Sequence, residues 1–124
     1  MAPELICPQN YGFRGLQLSM EGDIYAFGMV VYEIVTGVRP FGVENLGVED
    51  AIRKVLEGIR PVEPENAETI GFGRGVWKLV EECWKEDRMW RPMAGAVRKC
   101  LTVAASWSLA IPPGPTVVVS GGQD

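Results

Sequence analysis

A chain of 124 residues is long enough for one domain with one hydrophobic core, and 47% hydrophobic residues argue against wholesale disorder. A net charge of −4 and an isoelectric point near 4.9 argue against nucleic acid or an anionic membrane as the main partner, since both attract positive fields. Cys7, Cys83 and Cys100 show no CxxC spacing and the chain has no histidine, which excludes a four-ligand zinc site; unpaired thiols suit a reducing, intracellular compartment such as the cytoplasm.

The opening Met1-Ala2-Pro3-Glu4 predicts no secretory leader. The first predicted helix covers about Met20 to Thr36, with Ser19 as N-cap, Glu21 in the first turn and Gly37 just past the end. Ile24, Ala26, Phe27, Met29, Val30, Val31, Ile34 and Val35 make it apolar on nearly every face, which places it at the centre of the fold. Its apolar stretch, Ile24 to Val35, contains Glu33 and falls short of the roughly 20 residues that span a bilayer, so it reads as a buried helix.

A second helix is predicted over Val48 to Glu57, where Val48, Ala51, Ile52, Val55 and Leu56 share one face and Gly58 ends it. A third is predicted over Gly73 to Lys85 on the spacing of Val76, Leu79, Val80, Cys83 and Trp84. The fourth starts at Pro92, a residue suited to the first helical position, and runs to about Trp107 with Met93, Val97, Cys100, Leu101 and Ala104 as its stripe. Glycine and proline punctuate the loops at 37–47 and 58–71. Residues 108–124 are expected to form a disordered tail, and no internal repeat is found. The fold class predicted from these patterns is all-α, one small domain over 1–107 packed around a central helix.

Read as strings, the residues say more. Met1-Ala2-Pro3-Glu4-Leu5 resembles the Ala-Pro-Glu motif that closes the activation segment of protein kinases. Asp23-Ile24-Tyr25-Ala26-Phe27-Gly28, continuing through Glu33-Ile34-Val35-Thr36-Gly37 to Arg39-Pro40-Phe41, is similar to the central helix of the kinase C-terminal lobe and its exit. Val55 to Pro61 resembles the end of the next helix, and Cys83-Trp84 with Arg91-Pro92 resembles the elements that join the last two. Four elements in order make the likeness specific. It covers about Met1 to Leu101 and is strongest to the tyrosine-kinase and tyrosine-kinase-like groups.

The resemblance implies that Glu4 pairs with Arg91, a fork of two parallel hydrogen bonds pinning the activation-segment end to the helices. It implies that Asp23 accepts hydrogen bonds from a catalytic loop that these residues do not contain. Asp23 is therefore expected to be either exposed to solvent or a source of instability. Val30 and Ile34 match positions that support the apolar column beneath the adenine ring, and Trp84 is expected to fill the core beside the central helix. Ala2, Pro3, Gly28 and Pro92 enter only as members of the matched motifs.

A complete kinase also needs a lysine on the phosphates, an aspartate for the substrate hydroxyl and an aspartate on magnesium. No D-F-G is present, and a chain without histidine has no H-R-D, so no catalytic, cofactor-binding or metal-binding residue is assigned here; ATP and magnesium belong to the complete family domain. Gly71-Phe72-Gly73-Arg74-Gly75 imitates a phosphate-binding loop, but Val76 stands where a third spaced glycine would be needed. Two residues depart from the family pattern: Arg88 follows Asp87 in place of proline, and Met93 follows Pro92 in place of a capping serine or threonine.

The reading that follows is a kinase-domain fragment, inactive alone, starting at an internal methionine of a longer protein. The alternatives are a non-catalytic, pseudokinase-like module that docks a protein substrate or regulator through its helices, and a decayed product that does not fold. Exposure of one side of the central helix is expected to make folding in isolation marginal.

Overall fold

The structure is a computed structural model, and it describes residues 1–42, 47–73 and 75–110, with side chains as far as residue 106. The described residues are all-helical. They form α1 (Pro3–Ile6), α2 (Met20–Thr36), α3 (Val48–Leu56), α4 (Ala67–Ile70), α5 (Val76–Cys83) and α6 (Ala94–Ala110), with 3-10 turns at Pro8–Tyr11, Pro40–Gly42 and Arg88–Trp90. The tail expected over 108–124 lies, beyond Ala110, outside the described residues.

The longest internal helix keeps its expected bounds because both ends are chemically fixed. Ser19 accepts a hydrogen bond from the Gly22 N–H at 3.1 Å, and Gly37 takes a left-handed φ of 72° that only glycine adopts without strain. Its inner face packs on α5. A Cβ at Gly28 would lie 2.7 Å from Trp84 Nε1 and 2.9 Å from Cys83 Cβ, so the two helices meet at this closeness only over a glycine. Beside that crossing, the rings of Tyr32, Phe72, Trp77 and Trp84 pack with centroids 5.1 to 6.2 Å apart in mostly tilted and edge-on pairs.

Several expectations need correcting. The helix at the centre of the packing is covered on one side only: Tyr25 and Gly28 are buried, whereas Val30 is 51% and Ile34 76% exposed. The third predicted helix is shorter than 73–85, because Gly75 takes a left-handed φ of 83° in front of Val76 and Trp84 leaves helical geometry behind Cys83. Pro92 is not the first helical position. The chain is still irregular at Pro92 and Met93, α6 begins at Ala94, and Met93, 77% exposed, stands outside the apolar stripe that Val97, Cys100, Leu101 and Ala104 form. On α3 the face narrows to Val55, which is buried, while Val48 is exposed. Two single-turn helices, α1 and α4, were too short to show a period.

Candidate functional site

The most constrained chemistry lies where α1 meets the loop between α5 and α6. Pro3 opens α1 at a position that has no need of an N–H, and the carbonyl of the fully buried Ala2 accepts from the N–H groups of Leu5 and Ile6 at 3.0 and 3.2 Å. That turn holds Glu4 at 3% exposure. From the other side, Asp87 accepts the Met89 N–H at 2.9 Å and shapes the Arg88–Trp90 turn, which delivers Arg91. The arginine that replaces the family proline at position 88 therefore leaves the turn capped.

Arg91 uses all of its N–H donors. Nη1 and Nη2 donate to Glu4 Oε1 and Oε2 at 2.6 and 2.9 Å, Nη1 also to the Glu21 carbonyl at 3.0 Å, Nε to the Lys85 carbonyl at 2.9 Å and Nη2 to the Glu86 carbonyl at 3.4 Å. The guanidinium thus ties α1, the first turn of α2 and the end of the α5 loop to one point. Burial by itself pushes the Glu4 carboxyl up, but the hydrogen bonds and charge of Arg91 outweigh it and hold the carboxyl below the usual range.

A second guanidinium stands nearby. Arg60 donates from Nε to the Trp84 carbonyl at 2.9 Å, from Nη1 to the carbonyls of Val55 and Ile59 at 3.2 and 3.0 Å, and from Nη2 to Glu86 at 2.8 Å. The guanidinium carbons of Arg91 and Arg60 lie 5.0 and 5.2 Å from the ring centre of Tyr25, which is completely buried. Burial pushes the Tyr25 phenol up to about 12. Its hydroxyl and Trp84 Nε1 are buried without hydrogen-bond partners. Glu86 completes the chain of contacts by accepting the Tyr11 hydroxyl.

The sequence-derived residues divide between two places. Ala2, Pro3, Glu4 and Arg91 converge in this corner, with Pro92 half-buried directly after it. Gly28 and Trp84 meet at the α2–α5 crossing. Asp23 joins neither: it is exposed, at the edge of a groove of about 680 Å³ lined by Ile24, Phe27, Val97 and Leu101. Of the two outcomes expected for it, the structure has the solvent-exposed one. In the glycine loop, Phe72 is 3% exposed and packed among aromatic rings, so that segment serves the core; its Arg74 lies outside the described residues.

Sequence reasoning assigned no role to Arg60, Glu86, Tyr11 or Tyr25. For Arg60 a signal existed, an arginine locked before Pro61 between two loop breakers. Glu86 stands in a run of charged residues, Lys85 to Arg88, in which nothing marks it out.

A helical lobe built around one central helix, clasped at its start by a buried glutamate–arginine fork, defines a kinase-type C-terminal subdomain. Residues 1–101 match the family described as protein tyrosine and serine/threonine kinase, and the chain belongs to that family. It is 35% identical over 103 residues to a light-sensor protein kinase of Ceratodon purpureus, covering 74% of this chain and 7% of the relative. It is 38% identical over 80 residues to the dual specificity protein kinase pyk3 of Dictyostelium discoideum, covering 64% of this chain and 6% of the relative. Among solved structures, a chain of the AtMLKL3 tetramer, determined by cryo-electron microscopy, superposes with a TM-score of 0.68 at 28% identity, over 87% of this chain and 18% of that one. The chain thus spans less than a tenth of the curated relatives named here.

Proposed function

We propose that this chain is the C-terminal helical part of a protein kinase catalytic domain whose complete form moves the γ-phosphoryl group of ATP, with magnesium, onto hydroxyl groups of proteins, in the cytoplasm. The observation that carries this reading is the buried Glu4–Arg91 fork, which ties the Ala-Pro-Glu turn to the helices. Its role is positional. The segment that ends at Glu4 would present the protein substrate, and anchoring the Glu4 carboxylate to a guanidinium that also holds three backbone carbonyls fixes where that end lies.

These residues do not themselves fit ATP or magnesium. The one glycine-rich loop is committed to the core through Phe72, and among the described residues no group of three or more acidic, cysteine or histidine side chains could hold a metal ion. No chemical step is assigned to them. Nor is any described helix long and apolar enough to cross a membrane.

A second reading, a non-catalytic module that binds a protein substrate or regulator, is favoured by the exposed apolar residues Val30 and Ile34 on α2. One experiment separates the two. The product of the complete transcript is assayed for transfer of labelled γ-phosphate to a generic protein substrate, beside its Arg91→Ala variant. Transfer that falls at least tenfold in the variant supports the kinase reading. A complete product that transfers nothing overturns it in favour of the binding module.

A further inference from the structure

The chain has three tyrosines, in three different settings. Tyr25 is completely buried beside two guanidinium groups, and Tyr32 is packed among Phe72, Trp77 and Trp84 with ring centroids 6.0 to 6.2 Å away. Tyr11 is different. It ends the Pro8–Tyr11 turn, the exposed Gly12 follows in a left-handed conformation, and residues 13–19 form no helix and are largely exposed. Its hydroxyl reaches the surface carboxylate of Glu86, beside an open cleft of about 420 Å³ whose walls include Phe13, Asp87 and Arg88.

We propose that Tyr11 is a phosphoryl-acceptor site, and that its modification releases residues 8–13 from Glu86. The step requires a tyrosine-directed kinase acting on this chain in trans and a nucleoside triphosphate. The phenolic oxygen forms a bond to the γ-phosphorus, the bond from that phosphorus to the β–γ bridging oxygen breaks, and the nucleoside diphosphate leaves with the electron pair. The phenolic proton passes to the kinase base. The proposal does not depend on catalysis by the protein to which this chain belongs.

Two features make Tyr11 suited to such a switch. A hydrogen bond to an exposed carboxylate is a weak tether, and the irregular segment after it can be drawn into a peptide groove once the tether opens. After transfer the oxygen can no longer donate, and a group carrying about −1.5 to −2 charges replaces it next to the Glu86 carboxylate. Two guanidinium groups close by are already engaged, Arg60 with three carbonyls and Glu86 and Arg91 with Glu4 and three carbonyls, while Arg88, across the cleft, only covers the Phe13 ring at 4.4 Å. The lost donor and the repulsion from Glu86 therefore open the Tyr11–Glu86 contact, and the phosphate turns away from that carboxylate toward the Arg88 side of the cleft.

The test treats the product of the complete transcript with a tyrosine-directed kinase domain, ATP and magnesium, maps the phosphate by mass spectrometry and follows amide hydrogen exchange. Phosphate is expected on Tyr11 and not on Tyr25 or Tyr32. The Gly12 and Phe13 amides, bonded in the closed form to the carbonyls of Gln9 and Pro8, are expected to exchange roughly tenfold faster once Tyr11 is modified. In Glu86→Gln the phosphate still attaches, but that acceleration shrinks because the main repelling charge is gone. Modification of all three tyrosines, no modification of Tyr11, unchanged exchange in the phosphorylated chain, or equal acceleration in Glu86→Gln would each overturn the proposal.

Discussion

The two faces of α2 teach opposite lessons about burial. On the inner face, Tyr25 and Gly28 are buried, and the charged groups packed there are bonded one by one: every N–H of Arg91 and both oxygens of Glu4 have partners, while the Tyr25 hydroxyl and Trp84 Nε1 have none. On the outer face, Val30 and Ile34 are as apolar as any core residue and lie in the open. Hydrophobicity, which is alike on both sides, does not decide which side is covered. Coverage follows where α5 and the α1 turn dock, and a glycine and a guanidinium specify that docking.

The inner face is therefore where substitution costs most. Arg91→Ala leaves Glu4 buried and unpaired, and urea unfolding is expected to show a loss of roughly 3–5 kcal/mol. Replacing both partners by apolar residues, Glu4→Leu with Arg91→Met, should cost clearly less, since no charge is stranded. If the double variant is as unstable as Arg91→Ala, the carbonyls that Arg91 holds matter more than the carboxylate. Gly28→Ala comes next, at about 1–3 kcal/mol, because its methyl would overlap the Trp84 ring. That cost should shrink in a Trp84→Phe background, where the clashing indole nitrogen is absent; a purely additive pair would show that the clash is relieved elsewhere.

pH sharpens the same comparison, since Glu4, Tyr25 and Cys83, all buried on the inner side, have displaced titration. The folded Glu4 carboxyl titrates below its unfolded value of about 4.5, so its contribution is complete above that pH and is lost as acid carries the pH down through the folded value. The double apolar variant should lack this acid limb. At the other end, burial pushes the Cys83 thiol up to about 11 and the Tyr25 phenol up to about 12. Their neutral forms are favoured in the fold, so stability should hold to about pH 9 and decline from there to about pH 12. Denaturant midpoints measured across both windows check the two signs.

What was legible in the sequence follows the same divide. Helix α2 kept both predicted ends because Ser19 and Gly37 act locally, within one turn of the boundary they set. The ends of α5 and α6 were misplaced where backbone geometry overrode spacing, at the left-handed Gly75 and at the irregular step through Pro92 and Met93. The Glu4–Arg91 contact joins residues 87 positions apart, and no periodicity could suggest it; only the matched motifs did. Arg60, Glu86 and Tyr11 stayed hidden because their roles depend on loops meeting in space, which the charge pattern of Lys85 to Arg88 does not encode. The exposed side of α2 was foreseen only as a consequence of missing neighbours, while amphipathic reading had it buried all round.

The smallest expected effect tests the outer face. Ile34 is 76% exposed and makes no use of its hydrophobicity in the described fold, so Ile34→Lys should leave the unfolding free energy within about 0.5 kcal/mol of the parent chain. Lysine is as good a helix former as isoleucine or better, and it keeps an aliphatic stem along the surface, so no propensity term opposes the change. The charge should instead act on association, because an apolar stripe in water is an attachment surface for other chains. Sedimentation velocity over a concentration series should show less self-association for Ile34→Lys combined with Val30→Ser. A loss of more than about 1 kcal/mol in the monomer would mean that something packs on this face in solution, and the contrast between the two sides of α2 would then be a difference of degree.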